Sequence, residues 1–201
     1  MHQLGVGVLG PVYRTYDPQH DRLVAVKAFD LDLTPEKADA FVSVLQRLVQ
    51  VGLTHRAIAT PLAAGLEDGM PYLALQYVSG ESLDVAIRQS RRVTLEEIVG
   101  FVSQLACGID AAHERAVLHG SLHLRDLFVT AEGLMVTGFG VARALEEAGL
   151  RPPVRRPYAA PEVIAGRGWT PEADRFSLAS VAYELLTGKR IAGGGREITG
   201  R

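Results

Sequence analysis

The stretch His119-Gly120-Ser121-Leu122-His123-Leu124-Arg125-Asp126, followed twelve residues after Asp126 by Gly138-Phe139-Gly140, restricts this chain more than any other feature. Three further motifs stand around it in a fixed order. Leu4-Gly5-Val6-Gly7-Val8-Leu9-Gly10-Pro11-Val12 has the spacing G-x-G-x-x-G-x-V, and Val24-Ala25-Val26-Lys27 places a lysine at the end of an apolar run. Ala160-Pro161-Glu162 follows Gly138-Phe139-Gly140 downstream. One glycine-rich turn is a weak signal in a chain with 21 glycines. Five motifs in one order are a strong one.

Composition sets outer bounds. The chain has 201 residues, 47% hydrophobic and 22% charged, enough apolar content for a sizeable core in one or two lobes. A net charge of -2 gives no electrostatic reason to expect nucleic acid or an anionic membrane as partner. The single cysteine, Cys107, cannot form an internal disulfide, and no charged-then-apolar segment at the start reads as a secretory signal. A reducing cytoplasm is the expected location. No run of about 18 apolar residues exists, so this span is not expected to cross a membrane, although sequence beyond Arg201 could.

The residue patterns predict strands first and helices later, with one early helix. Leu4 to Tyr16 and Leu23 to Phe29 read as strands around the turn Asp17-Pro18-Gln19-His20. Thr34 is an N-cap with Pro35 at the first helical position, and Phe41, Leu45 and Leu48 share a face before Gly52 ends that helix. Leu62 to Leu66 and Tyr72 to Val78 flank Glu67-Asp68-Gly69-Met70, a hairpin signal. Thr94-Leu95-Glu96-Glu97 is a capping box for a helix with an apolar stripe at Ile98, Phe101, Val102, Leu105, Ile109 and Ala112, running to about Glu114. Thr170-Pro171 opens another, carrying Leu178, Val181, Leu185 and Leu186 and stopping at Gly188.

Together the motifs resemble those of a protein kinase, and of the bacterial Ser/Thr type in particular, as do Tyr77-Val78-Ser79-Gly80 and Glu184-Leu185-Leu186-Thr187-Gly188. The resemblance implies an α+β, two-lobed protein kinase-like fold. Residues 1–78 would be a small lobe of antiparallel β-sheet plus one helix, and 79–201 a mainly helical large lobe truncated after its central helix. Both ends look cut relative to the family, and Glu162 loses its usual arginine partner with the absent region. The large lobe is therefore expected to need help from a dimer partner or from sequence not included here.

Set against the kinase pattern, the reactive carboxylates are missing. In H-R-D-L-x-x-x-N the Asp accepts the substrate hydroxyl's proton, and the Asn and the Asp of D-F-G hold magnesium. Ser121 and Gly138 take the two Asp positions, so no catalytic residue is intact. Loss of a general base typically costs about 10²- to 10⁴-fold in rate, and loss of a metal ligand weakens a stabilisation on the order of several kcal/mol. Asp126 stands where the family has Asn; it could recruit one metal ion, or be a solvated or capping loop residue. His123 occupies the catalytic-loop lysine position and is expected to be mostly neutral at pH 7. Lys27 would face the phosphates, and the turn His55-Arg56-Ala57-Ile58 places Gln46 where its helix glutamate partner should stand. The segment from Phe139 to Pro157 has no Ser, Thr or Tyr to phosphorylate, and Arg151, Arg155 and Arg156 make it basic. These arginines read as a solvated loop in preference to a patch for an acidic partner. His119, Phe139 and Asp174 match positions that join the loops to the central helix, and read as architecture.

A nucleotide site does not need the lost carboxylates, because an adenine pocket is mostly apolar with hinge-backbone hydrogen bonds. The resemblance assigns Gly5, Gly7 and Gly10 to the glycine loop, Val12, Ala25, Leu75, Val78 and Phe128 to the pocket, Lys27 to the phosphates and Gln76 to Val78 to the hinge. Phe128 is bulky for the pocket floor, and Pro11 stiffens the flap. ATP binding, weak or metal-independent, and no binding at all both stay open; a bound Mg²⁺ is doubtful. Three readings follow: a pseudokinase acting as a regulatory or binding module for a protein partner or neighbouring domains, a low-activity kinase using Asp126 and one metal ion, and a degenerate structural fragment.

Overall fold

A computed structural model describes residues 1–89 and 93–191 of the chain. Its first part is a five-stranded antiparallel sheet of order β1-β2-β3-β5-β4, built from β1 (His2–Gly7), β2 (Gly10–Asp17), β3 (Arg22–Ala28), β4 (Pro61–Glu67) and β5 (Met70–Gln76). The stretch expected as one strand from Leu4 to Tyr16 is two, folded back at Val8-Leu9 so that Gly7 pairs with Gly10. Gly10 makes this fold-back feasible: its φ is +125°, and a Cβ there would lie 2.4 Å from the Ala28 carbonyl oxygen. The β4–β5 hairpin turns at Asp68-Gly69, both at positive φ, as an Asp-Gly pair allows.

Between β3 and β4 runs α1 (Pro35–Gln50), started by Thr34, whose Oγ accepts the Lys37 N–H. It buries Phe41, Val44, Leu45 and Leu48 in the core, with the Phe41 ring edge-on to Phe29 at 4.9 Å. The larger part follows: the two-residue strand β6 (Glu81–Ser82), α2 (Leu83–Arg88), α3 (Leu95–His113), β7 (Leu127–Thr130), β8 (Gly133–Val136), α4 (Val141–Glu147), α5 (Pro161–Ile164) and α6 (Pro171–Thr187). The Thr94–Glu97 capping box forms in both directions and starts α3. The strands β6, β7 and β8 make a small second sheet. One apolar core runs through both parts, from Phe29, Phe41 and Leu73 to Leu105, Ile109, Leu122, Leu124, Leu127 and Phe139.

α6 keeps most of its expected apolar face, with Val181 buried and Leu178 and Leu185 packed against the core. Leu186 is exposed, and the buried residues are Ala173, Asp174, Ser177, Ser180, Val181 and Glu184. Burial of polar groups is tolerable when each is hydrogen-bonded, and here each is. Ser177 Oγ lies 2.8 Å from the Tyr158 carbonyl, Ser180 Oγ donates to the Phe176 carbonyl, and Glu184 accepts from the Tyr158 hydroxyl at 2.7 Å and from Arg190 at 3.2 Å. Burial, then the Glu184 hydrogen bond, push the Tyr158 hydroxyl's pKa well above its ordinary value. Glu162 forms no ion pair among the described residues. No helix among them is long and apolar enough to cross a membrane.

Candidate nucleotide cleft

A cavity of about 220 Å³ opens between the five-stranded sheet and the loops around β7. Gly7, Val12, Ala25, Lys27, Leu75, Gln76, Val78 and Phe128, all expected from sequence, line it. Of the expected nucleotide-site residues, Gly5 and Gly10 do not. Gly5 faces open space, and Gly10 serves the close approach of backbone to Ala28 described above. Tyr77, within the expected hinge, lines it too, as do Leu4, Leu73, Thr137, Val141 and Arg155, which were not singled out for it. At about 220 Å³ it is smaller than the roughly 300–1,000 Å³ of most small-molecule sites, so a ligand must widen it.

The loop from His119 to Asp126 is hung on α6. Both Asp174 carboxylate oxygens accept backbone N–H groups from it, from His119 at 2.8 Å and Gly120 at 2.8 Å, and Asp174 also meets His113 Nε2 at 2.9 Å. The His119 ring stands edge-on to Phe139 at 5.0 Å and donates from Nε2 to the Thr137 carbonyl. These three residues form the architecture expected of them. Asp126 is half-buried; its backbone carbonyl accepts the Thr137 N–H. Its Oδ1 lies 3.9 Å from where a Cβ on Gly138 would be, and Gly138 itself has φ +96°.

Ser121 is committed to another bond. Its Oγ lies 3.0 Å from the Pro153 carbonyl oxygen, and since a carbonyl only accepts, the hydroxyl donates. His123 Nδ1 accepts the Arg125 N–H, capping the 3-10 turn 124–126, and its ring stacks edge-on to buried Tyr158 at 5.1 Å.

Lys27 reaches the cleft without a partner from α1. Gln46, expected where the helix partner of Lys27 should stand, is exposed and turns to β4, donating to the Ala64 carbonyl at 3.4 Å. The inward face of α1 is occupied by Val44, Leu45 and Leu48, and counting back from His55 misplaced the helix face. A small adjoining hollow surrounds Lys27 instead with Leu9, Val141, Ala142 and Leu145 and with Asp126 and Arg155. Burial lowers the Lys27 pKa; Asp126 pulls it back up and Arg155 pushes it down again.

The basic segment after Gly140 is not a solvated loop throughout. α4 packs on α1, fixed by Arg47–Glu147 at 2.6 Å, and leaves Gly140 so close to Leu48 that a Cβ would meet it at 2.9 Å. Apolar spacing at Val141, Ala144, Leu145 and Ala148 was the available sequence signal for this helix. Beyond it Arg151 and Arg156 are exposed, but Arg155 is half-buried and lines the cleft beside Lys27, Asp126 and Gly138. Its neighbours on the chain explain why. Arg155 lies just before Tyr158-Ala159-Ala160, a fully buried run, and its carbonyl accepts the N–H groups of both Tyr158 and Ala159 at 2.8 Å.

The protein kinase domain family matches residues 1–199 of this sequence. The chain belongs to the protein kinase family. The Ser/Thr protein kinase PknJ of Mycobacterium tuberculosis is 30% identical over 195 residues, covering 92% of this chain and 33% of PknJ. The Ser/Thr protein kinase PknK of the same organism is 31% identical over 193 residues, covering 94% of this chain and 17% of PknK. This chain thus spans a third or less of these relatives. The crystal structure of the M. tuberculosis PknI kinase domain superposes with a TM-score of 0.74 at 25% identity, over 100% of this chain and 76% of that one.

Within the kinase fold, the cavity is the cleft between the lobes, 76–78 the hinge and 139–162 the activation segment. Asp126 is the one carboxylate among the described residues lining the cleft. No group of three or more His, Cys, Asp or Glu side chains placed to hold a metal occurs among the described residues. A site with one carboxylate facing Lys27 and Arg155 is a poor match for Mg²⁺, which takes hard oxygen ligands in octahedral array. The apolar lining from Val12, Ala25, Leu75, Val78 and Phe128 suits a flat heterocycle.

His123 gives this loop a pH dependence. Burial, more than any other influence, lowers its pKa; Asp126 and Asp84 oppose this, and Arg155 and Arg125 add to it. The unfolded chain therefore binds more protons than the folded one just below the ordinary histidine value of about 6.5. The contribution is fully present above that value and is lost as pH falls through it towards the lower folded one. We expect the denaturation midpoint to drop between about pH 7.5 and about pH 5.5. In His123→Asn, whose Oδ1 can still cap the turn, that drop should be measurably shallower in urea titrations.

Proposed function

We propose that this chain is a catalytically impaired protein kinase domain, a pseudokinase, serving as a regulatory or binding module that retains weak ATP binding. The observation that carries the reading is the Ser121 hydroxyl, which sits at the general-base position and donates to the Pro153 carbonyl. A serine hydroxyl does not ionise near neutral pH and its oxygen is far too weak a base to take a proton from a substrate hydroxyl, and the main-chain carbonyl that receives its one O–H is too weak a base to activate it. With Gly138 supplying no oxygen ligand, the charge developing in the transition state has lost its second support. The module's partner would be a protein, a neighbouring domain or a second copy of this chain, and its place the cytoplasm.

Transfer of label from γ-³²P-ATP to generic protein substrates and to the chain itself, with Mg²⁺ or Mn²⁺, tests this. Turnover is expected at least about 10⁴-fold below the roughly 1–100 per second of active kinases. A higher rate that Asp126→Ala abolishes would establish the alternative, a low-activity kinase using Asp126 and one metal ion; the half-buried position of Asp126 in the cleft is what favours that second reading. Absence of any thermal shift with ATP or adenosine would support the third, a structural fragment without a ligand.

A further inference from the structure

We infer that Arg155 is a phosphate-binding residue that takes over the charge-neutralising role of a divalent metal, so that the cleft accepts a nucleoside triphosphate in metal-free form. The inference rests on the nucleotide-binding part of the function proposed above and goes beyond it by naming the cation and the form of the ligand.

The cleft carries more positive than negative charge. Lys27 and Arg155 converge on a space whose lining has one carboxylate, Asp126, among the described residues. Neither cation is within ion-pair distance of it, whereas the other cleft arginine, Arg125, is already bonded to Asp84 at 3.1 Å. Arg155 Nε is buried and without a hydrogen-bond partner. A guanidinium has five N–H donors in a planar fork suited to the oxygens of a phosphate, and a buried donor left unpaired is costly. Burial holds Lys27 below its ordinary basicity, Asp126 opposes this, and Arg155 adds a smaller downward push, a repulsion that an anion lying between the two cations would relieve.

The position of Arg155 is built into the chain rather than incidental. The Ser121–Pro153 hydrogen bond fixes the backbone two residues before it, and the bonds from Tyr158 and Ala159 to its own carbonyl fix the backbone at it. Gly138 leaves the space next to Asp126 free of a side chain. The apolar cavity adjoins this charged end, so a heterocycle and its phosphates would be held by one continuous cleft. That continuity favours a nucleotide over an isolated phosphate.

Calorimetric titration of the purified chain with ATP in EDTA, with ATP plus excess MgCl₂, and with adenosine tests this. The wild type is expected to bind ATP in EDTA at least as tightly as with magnesium. Arg155→Gln should weaken ATP in EDTA about 10- to 100-fold, the range for a lost hydrogen bond between charged groups, and leave adenosine unchanged. Arg155→Lys, which keeps the charge without the fork, should recover part of the loss; if Arg155→Gln harms adenosine binding too, this partial recovery is the deciding result. ATP binding that requires Mg²⁺, an Arg155→Gln affinity equal to wild type, or no recovery in Arg155→Lys would overturn the inference while leaving the pseudokinase reading intact. No binding of ATP or adenosine by the wild type would overturn both the inference and the nucleotide half of that reading. Efficient label transfer with ATP bound independently of Arg155 would overturn both the catalytic half and the inference.

Discussion

Asp174→Ala is expected to remove about 3–5 kcal/mol of folding stability, a large share of the ~5–15 kcal/mol that a domain possesses. The carboxylate is 1% exposed and accepts the N–H groups of His119 and Gly120 together with His113 Nε2. Alanine leaves two backbone donors with no acceptor and no route to water, at roughly 1–3 kcal/mol each. It also strands His113, whose Nδ1 is already buried without a partner. Asp174→Asn separates charge from shape: its one remaining oxygen can serve one N–H, while its NH₂ faces the other donor. We expect the asparagine variant to lose about as much. Urea denaturation followed by circular dichroism measures both, and a midpoint within error of wild type for either would show that the loop is not hung on α6 in the way described.

Ser121→Asp, the change that restores a carboxylate at the general-base position, is expected to release the activation segment rather than to restore chemistry. Ser121 Oγ and the Pro153 carbonyl oxygen are 3.0 Å apart. An aspartate offers only acceptors at neutral pH, so the contact becomes oxygen against oxygen. Ser121→Ala removes the hydrogen bond alone, worth about 1 kcal/mol, or roughly fivefold in segment opening. Ser121→Asp adds repulsion and carboxylate desolvation, together on the order of 2–3 kcal/mol, or roughly 30- to 100-fold. Arg151 and Arg156 are each followed by proline and resist trypsin, so the Arg155–Arg156 bond is the cleavable one of the three, and the rate of its cleavage reads the opening directly. Equal cleavage rates in wild type, Ser121→Ala and Ser121→Asp would mean that Ser121 does not tether the segment. Adding Gly138→Asp should not rescue turnover, since position 138 is at φ +96°, a conformation strained for a residue with a Cβ, and the new carboxylate would crowd Asp126.

The elements that were legible in the sequence are those specified by neighbours a few residues apart. Thr34-Pro35 and Thr94 through Glu97 start helices because the capping side chain and the N–H it serves lie within one turn of each other. Asp68-Gly69 makes its hairpin for the same local reason. The pocket positions Val12, Ala25, Leu75, Val78 and Phe128 were found through motif resemblance, and the structure gathers them along one cavity. Gln46 shows where this stops. Its assignment depended on counting between His55 and the helix, and the face it occupies is set by how Phe41, Leu45 and Leu48 pack. α6 was legible in its bounds and in Leu178, Val181 and Leu185, but not in its buried Asp174, Ser177 and Glu184, whose partners include the distant His119, Gly120 and Tyr158.

By itself, then, the sequence determined the family of fold and which reactive side chains are absent, because an ordered set of motifs and the chemistry of Ser121 and Gly138 are properties of residue identity. Tertiary structure decided what the remaining polar groups do. The partner of Ser121 lies 32 residues away and those of Asp174 more than 50. Whether Arg155 meets water or the cleft depends on where Tyr158 and Ala159 are buried. Contacts across such separations are fixed by the packing of the whole core, in which every position competes for the same space, and no local pattern around either partner encodes them.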